Sequence, residues 1–182
     1  MPFTIEKLPI EGLAIVQPKA FFDDRGFFLE TFSEQALREA GIDTRFVQDN
    51  LSYSKRGTVR GLHFQAPPHA QAKLVTVFQG AVLDVVVDIR KGSPTYGKSY
   101  TIELTDQNKT AFYVPAGFAH GFSVLSDTCI FYYKCSNYYN KPSEGGLLYN
   151  DPALGIDWRV AQPIVSDKDK VLPTLSNLNS PF

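Results

Sequence analysis

The run Arg60-Gly61-Leu62-His63-Phe64-Gln65, with Lys73 shortly after it, sets an imidazole between a guanidinium and an ammonium. Such a set can take up a proton and steady a developing negative charge. Gly57 and His63 keep the spacing of a metal-ligand pattern: glycine, five residues, histidine, one residue, a second histidine, then a glutamate. Gln65 stands where the second histidine belongs, and Pro67-Pro68-His69-Ala70-Gln71-Ala72-Lys73 supplies no glutamate. An ammonium has no lone pair to give a cation. A second element, Pro115-Ala116-Gly117-Phe118-Ala119-His120-Gly121-Phe122, adds only His120. Catalytic metals take about three protein ligands and an open position, so the chain predicts organic acid-base chemistry with no metal. His120 taken alone also fits a core histidine satisfied by Asp84 or Asp88. His63, flanked by Arg60 and Lys73, loses basicity unless a carboxylate compensates. It needs an acidic partner.

The elements that must position these groups are strands. Leu74 to Phe78, Ala81 to Ile89, Ser99 to Leu104, Lys109 to Val114, Gly121 to Leu125 and Thr128 to Cys135 are apolar or β-branched runs punctuated by Gly, Pro, Asn and Asp. One helix is expected over Glu34 to Ala40, with Ser33 as N-cap and Gly41 after its end. In Val82 to Asp88 the alternation puts Asp84, Val86 and Asp88 on one face, which could line a cavity, and Leu83, Val85 and Val87 on the other. Many short strands with few short helices predict an all-β jelly-roll sandwich or barrel, the architecture of the cupins, whose metal motif is the one altered above. The 182 residues suit a single domain spanning 1–182, with Pro163 to Phe182 as a turn-rich tail over the barrel.

A net charge of −1, from 18 Lys+Arg against 19 Asp+Glu, provides no basic field for nucleic acid. Met1 to Gln17 mixes Glu6, Lys7 and Glu11 into its apolar residues, giving no signal peptide and no membrane span. Cys129 and Cys135 read as two buried thiols in a reducing compartment. The expectation is a soluble, cytoplasmic protein.

Arg25-Gly26-Phe27-Phe28-Leu29-Glu30, Gln48-Asp49-Asn50, the Arg60 to Gln65 run, Gln71-Ala72-Lys73, Asp84 to Asp88, Pro115 to Phe122, Tyr133-Lys134-Cys135, Tyr138-Tyr139 and Ser166-Asp167-Lys168-Asp169 occur in one order between about Leu8 and Asp169. Together they closely resemble the dTDP-4-dehydrorhamnose 3,5-epimerase family of nucleotide-sugar biosynthesis. The resemblance implies a jelly-roll cupin acting as a homodimer, inverting two carbons of dTDP-4-dehydro-6-deoxyglucose without a cofactor. A 4-keto sugar suits such chemistry, because carbanions at C3 and C5 both delocalise into the C4 oxygen. Inversion then needs a base on one face and an acid on the other, each contributing about 10²–10⁴-fold.

By that resemblance His63 is the base, Asp169 the carboxylate that orients it, Tyr133 the opposite-face acid and Lys73 the enolate stabiliser. Arg25, Glu30, Gln48, Asn50, Arg60, Glu144 and Lys168 are implied to hold the nucleotide end, Tyr139 to stack on thymine, and His120 to contact substrate; Arg25 and Glu30 reach a neighbouring subunit's ligand. On pattern alone Tyr133 fits aromatic packing, Asp169 a solvated tail charge, Arg25 a turn residue paired with an acid, Arg60 an interface cation, and Gln48-Asp49-Asn50 a polar loop. Tyr132 and Tyr133 point to opposite faces of a strand, so only one can face a cavity. Rival readings are an epimerase of C3 or C5 alone acting on another dTDP-4-keto-deoxysugar, a metal-dependent cupin enzyme, and a non-catalytic sugar-binding jelly roll.

Overall fold

The computed structural model describes residues 3–182. Strands Phe3–Lys7 (β1) and Ala14–Pro18 (β2) lead into a hairpin of Phe21–Asp23 (β3) and Gly26–Phe28 (β4), then helix Glu34–Glu39 (α1). Eight strands follow: Gln48–Lys55 (β5), Thr58–Gln65 (β6), Lys73–Gln79 (β7), Ala81–Asp88 (β8), Ser99–Thr105 (β9), Ala111–Val114 (β10), Phe118–Val124 (β11) and Thr128–Cys135 (β12). Two short strands, Glu144–Gly146 (β13) and Ile164–Val165 (β14), lie in the last part of the chain.

One sheet runs β1-β2-β10-β7-β12-β5 and the other β13-β6-β11-β8-β9, with β14 beside β6. This is the expected jelly-roll sandwich. Its inner core is aromatic, with Phe112, Phe122 and Phe131 packed among Val75, Val77, Val82 and Val86. Leu83, Val85 and Val87 form the opposite face of β8 and are covered by Leu147, Trp158, Leu175, Leu178 and Phe182, so the segment after Pro163 does lie over the barrel. Burial on both faces explains why β8 is apolar at every position except Asp84 and Asp88. The helix forms as its caps predict: Ser33 Oγ accepts the Ala36 N–H at 3.3 Å, and Ala36 and Leu37 are buried. Among the described residues no helix is long and apolar enough to cross a membrane.

Three expectations need correction. Gln48-Asp49-Asn50 opens strand β5 and is not a loop. Its polar residues are tolerated because Gln48 and Asn50 line a cleft instead of packing in the core. Strand β10 starts at Ala111 and not at Lys109, because Lys109 has φ 54 and cannot continue a strand. Neither Asp84 nor Asp88 lines the cleft: Asp84 lies behind His120, while Asp88 is taken by Arg90, Ser93 and Thr95.

The crossing of β6 and β11 shapes the site. His120 pairs with His63 and Phe122 with Arg60, so β6 carries one extra residue between the two pairs. In a regular strand residues 60 and 63 would face opposite sides; this bulge lets both face the cleft. Gly61 sits at φ 136, and a Cβ there would stand 2.6 Å from Gly121 Cα. Gly61→Ala should therefore cost about 1–3 kcal/mol through backbone strain alone, read from denaturant midpoints, and should lower activity by more than the unfolded fraction explains.

Candidate active site

The open end of the sandwich holds a cleft of two lobes. The larger, about 560 Å³, is lined by Ser52, Arg60, His63, Lys73, His120, Tyr133, Lys168 and Asp169. The smaller, about 380 Å³, is lined by Gln48, Asn50, Gln71, Tyr139 and Glu144, and shares His63, Lys73 and Tyr133 with the first. His63 comes from β6 in one sheet, Lys73 and Tyr133 from β7 and β12 in the other. A base and a phenol thus stand on opposite walls, with an ammonium beside the phenol.

Strand parity decides which tyrosine enters. Phe131, Tyr133 and Cys135 face inward, whereas Tyr132 stacks on Phe78 at 4.7 Å and donates its hydroxyl to Asp49 at 2.9 Å. Burial pushes the Tyr133 phenol above its ordinary value, with Arg60 working the other way, so it remains a proton donor at neutral pH.

His63 has the carboxylate it requires. Its Nε2 lies 2.7 Å from Asp169 Oδ1, while Asp169 Oδ2 accepts the Gly61 N–H at 3.2 Å, a group the bulge leaves free. Asp169 is positioned by β14, which pairs in parallel with Thr58 and Val59 of β6, and by Ser166, whose Oγ accepts the Asp169 N–H at 3.2 Å. The Asp169 side chain is 5% exposed and that of His63 36%. Burial alone would raise the Asp169 carboxyl, but the bonds from His63 and Gly61 outweigh it and hold it below its ordinary value.

Burial pushes the Lys73 ammonium down from its ordinary value, against the opposing influence of Cys135, Asp84 and Glu144. His120 is the satisfied histidine that its neighbours suggested, since Nε2 lies 3.0 and 2.9 Å from the two Asp84 oxygens, yet it also forms cleft wall. Burial lowers His120 and raises Asp84, driving both toward their neutral forms. The thiols of Cys129 and Cys135 are free and buried, and burial pushes Cys129 up to about 11. Among the described residues no three His, Cys, Asp or Glu side chains group as metal ligands would.

Most of the remaining candidates gather here as well. Arg60 Nε donates to Ser54 Oγ at 3.1 Å, Lys168 Nζ to Glu144 Oε2 at 2.7 Å, and the exposed Tyr139 hangs its N–H on Gln48 Oε1 at 2.9 Å. Neither Arg25 nor Glu30 lines the cleft. Arg25 caps the β3–β4 hairpin, 90% exposed and paired with Asp23 at 2.6 Å. Ser52 escaped notice in the sequence, and Gln71 and Ser166 stood in its motifs without a role, yet all three line the cleft. Ser52 Oγ is the one buried side-chain polar atom among the described residues with no hydrogen-bond partner. The stripe Gln48, Asn50, Ser52, Ser54, polar at every second residue, was the signal for a strand with a polar inner face.

The family model for dTDP-4-dehydrorhamnose 3,5-epimerase matches residues 7–177. The chain belongs to this family. It is 49% identical to a dTDP-4-dehydrorhamnose 3,5-epimerase of Shigella flexneri over 90% of this chain and 91% of that one. The solved epimerase of Elizabethkingia anophelis superposes with a TM-score of 0.94 at 48% identity, covering 99% of this chain and 100% of the other. A dTDP-6-deoxy-D-glucose-3,5-epimerase of Legionella pneumophila, solved with dTDP-4-keto-L-rhamnose, gives a TM-score of 0.94 at 46% identity over 97% and 95% of the two chains.

The lowered Asp169 carboxyl has a pH signature. Its charge stabilises the fold above the unfolded value of about 3.9, and that contribution is lost as pH falls through the lower folded value. Asp169→Asn should lower the urea midpoint at pH 7, and the gap to wild type should narrow below about pH 4. A constant gap down to pH 2 would contradict the assignment.

Proposed function

We propose that this epimerase inverts C3 and C5 of dTDP-4-dehydro-6-deoxy-D-glucose, giving dTDP-4-dehydro-L-rhamnose, with His63 and Tyr133 as its proton carriers. The observation that carries the reading is the placement of His63, backed by Asp169 at 2.7 Å, across the cleft from Tyr133. One ketone at C4 acidifies the hydrogens on both neighbouring carbons, so a single base and a single acid serve both centres. His63 removes the proton, and the Asp169 carboxylate holds the ring's orientation and stabilises the imidazolium. Electron density moves onto the C4 oxygen, where Lys73 supplies a cation in a partly dehydrated wall. Tyr133 then delivers a proton to the opposite face of the enolate carbon.

The nucleotide lies toward Arg60, Lys168 and Glu144 in this reading, with thymine on the Tyr139 ring and its edge near Gln48 and Asn50. Guanidinium forks suit diphosphate oxygens, and base stacking on an aromatic is worth about 1–3 kcal/mol. Ser52 Oγ, buried without a partner beside Arg60 in the same cleft, supports an anionic ligand there. His120 borders the sugar. The working unit is a homodimer in the cytoplasm, in which Arg25 and Glu30 complete the neighbouring protomer's site. The exposed Phe21, Phe22, Phe27 and Phe28 of the hairpin that carries Arg25 support that arrangement.

In D₂O, chelator-treated protein should exchange deuterium into both C3 and C5 of the 4-keto sugar nucleotide; no exchange, or exchange only with added metal, would overturn the mechanism. His63→Ala should abolish both exchange and inversion. Tyr133→Phe should keep exchange on the original face while inversion falls by about 10²–10⁴-fold. Lys73→Ala should depress both by about 10²–10³-fold, as loss of an oxyanion donor does. Sedimentation at assay concentration should show two chains, and a fully active monomer would remove Arg25 and Glu30 from the site.

A further inference from the structure

Gln65 replaces a metal ligand in the sequence pattern, and neither the proton transfers nor the nucleotide grip above employs it. Its residue is 4% exposed, and its amide is spent wholly on backbone. Nε2 donates to the carbonyls of His69 at 2.7 Å and Tyr138 at 3.2 Å, and Oε1 accepts the Asn140 N–H at 2.7 Å. The segment so held, 137–140, follows the end of β12 and precedes a 3-10 turn at Lys141–Ser143, so no ladder fixes it. Two further glutamines complete the harness. Gln71 Nε2 donates to the Asn137 carbonyl at 2.8 Å, and Gln48 Oε1 accepts the Tyr139 N–H at 2.9 Å.

We propose that Gln65 is a positioning residue for nucleotide recognition, tying the Tyr138–Asn140 backbone to the strand that carries His63 and so setting where the Tyr139 ring stands relative to the reacting centre. The inference rests on the proposed reading of Tyr139 as the nucleobase platform. A side-chain amide suits the task because it offers two donors and an acceptor at one end. Glutamate has the same size and keeps the acceptor for Asn140, but it turns two donor contacts into carboxylate facing carbonyl. A ring on a loosened segment must then be ordered by the ligand, and that ordering weakens binding more than it slows chemistry.

The test compares wild type, Gln65→Glu, Tyr139→Ala and the double variant, measuring the affinity for dTDP alone together with KM and kcat for the 4-keto sugar nucleotide. Gln65→Glu should raise both the dTDP Kd and KM about tenfold, the scale of one or two lost hydrogen bonds, with a much smaller change in kcat. The double variant should bind dTDP no more weakly than Tyr139→Ala, since both changes remove the same contact. Additive losses, or a fall in kcat at unchanged dTDP affinity, would overturn the proposal. If Gln65→Glu does not fold, Gln71→Glu releases Asn137 from the same segment, and unchanged dTDP affinity in that variant would overturn it equally. Failure of the wild-type protein to bind dTDP would remove the nucleotide reading itself, and this inference with it.

Discussion

The arrangement depends on one backbone group, the N–H of Gly61, which leaves the ladder between β6 and β11 and turns to a carboxylate arriving from the far end of the chain. A regular ladder would use that N–H between strands and would also send Arg60 and His63 to opposite faces. The bulge therefore does two things at once. It aims a guanidinium and an imidazole into the same cleft, and it frees a donor for the carboxylate bonded to that imidazole. Only glycine fits, because the backbone crosses Gly121 too closely for a side chain on either residue.

Around that point the sandwich is graded along its length. On β12 the inward residues run Cys129, Phe131, Tyr133, Cys135, and on β11 they pass from Phe122 to His120. On β7 the inward residues likewise pass from Val77 and Val75 in the core to Lys73 in the cleft. One end of the space between the sheets is filled with aromatic rings, with Phe122 and Phe131 stacked at 4.1 Å. The other end is left to polar and titratable side chains. The packed end joins the sheets, and the cleft opens from it to solvent, with the His63 side chain 36% exposed. Dehydrated charge is costly, and burial pushes Asp84 up and His120 down, toward their neutral forms, in the wall of the cleft.

Apolar runs made β7, β8, β9 and β12 legible in the sequence, and the capping residues marked the helix. Strand β5 was not, because propensity rules read Gln, Asn and Ser as turn formers, and the cleft side of a binding protein is where those rules lose to function. His63's need for a carboxylate followed from its cationic neighbours, but which carboxylate did not. Asp169 is distant in the chain and meets His63 through β14, whose two residues give too little pattern to register. Gln65 was visible only as something missing, since its partners are backbone atoms that no side-chain motif can display. Asp169, Arg25 and Glu30 were all read from resemblance, and of these only Asp169 lines the cleft.

The alternation along β12 also constrains how genes for such proteins can drift. Tyr132 and Lys134 share a strand with Tyr133, and they are engaged outside the cleft with Asp49. Loss or gain of one codon between Thr128 and Tyr133 would rotate every later residue of the strand by half a turn. After a gain upstream of Tyr132 that residue would take the inward place of Tyr133 and Lys134 that of Cys135 opposite Lys73, whereas after a loss Tyr132 would take the place of Phe131 and Lys134 that of Tyr133. Length changes should consequently accumulate in the connections and be purged from this strand, even though the altered chain would keep almost the same composition.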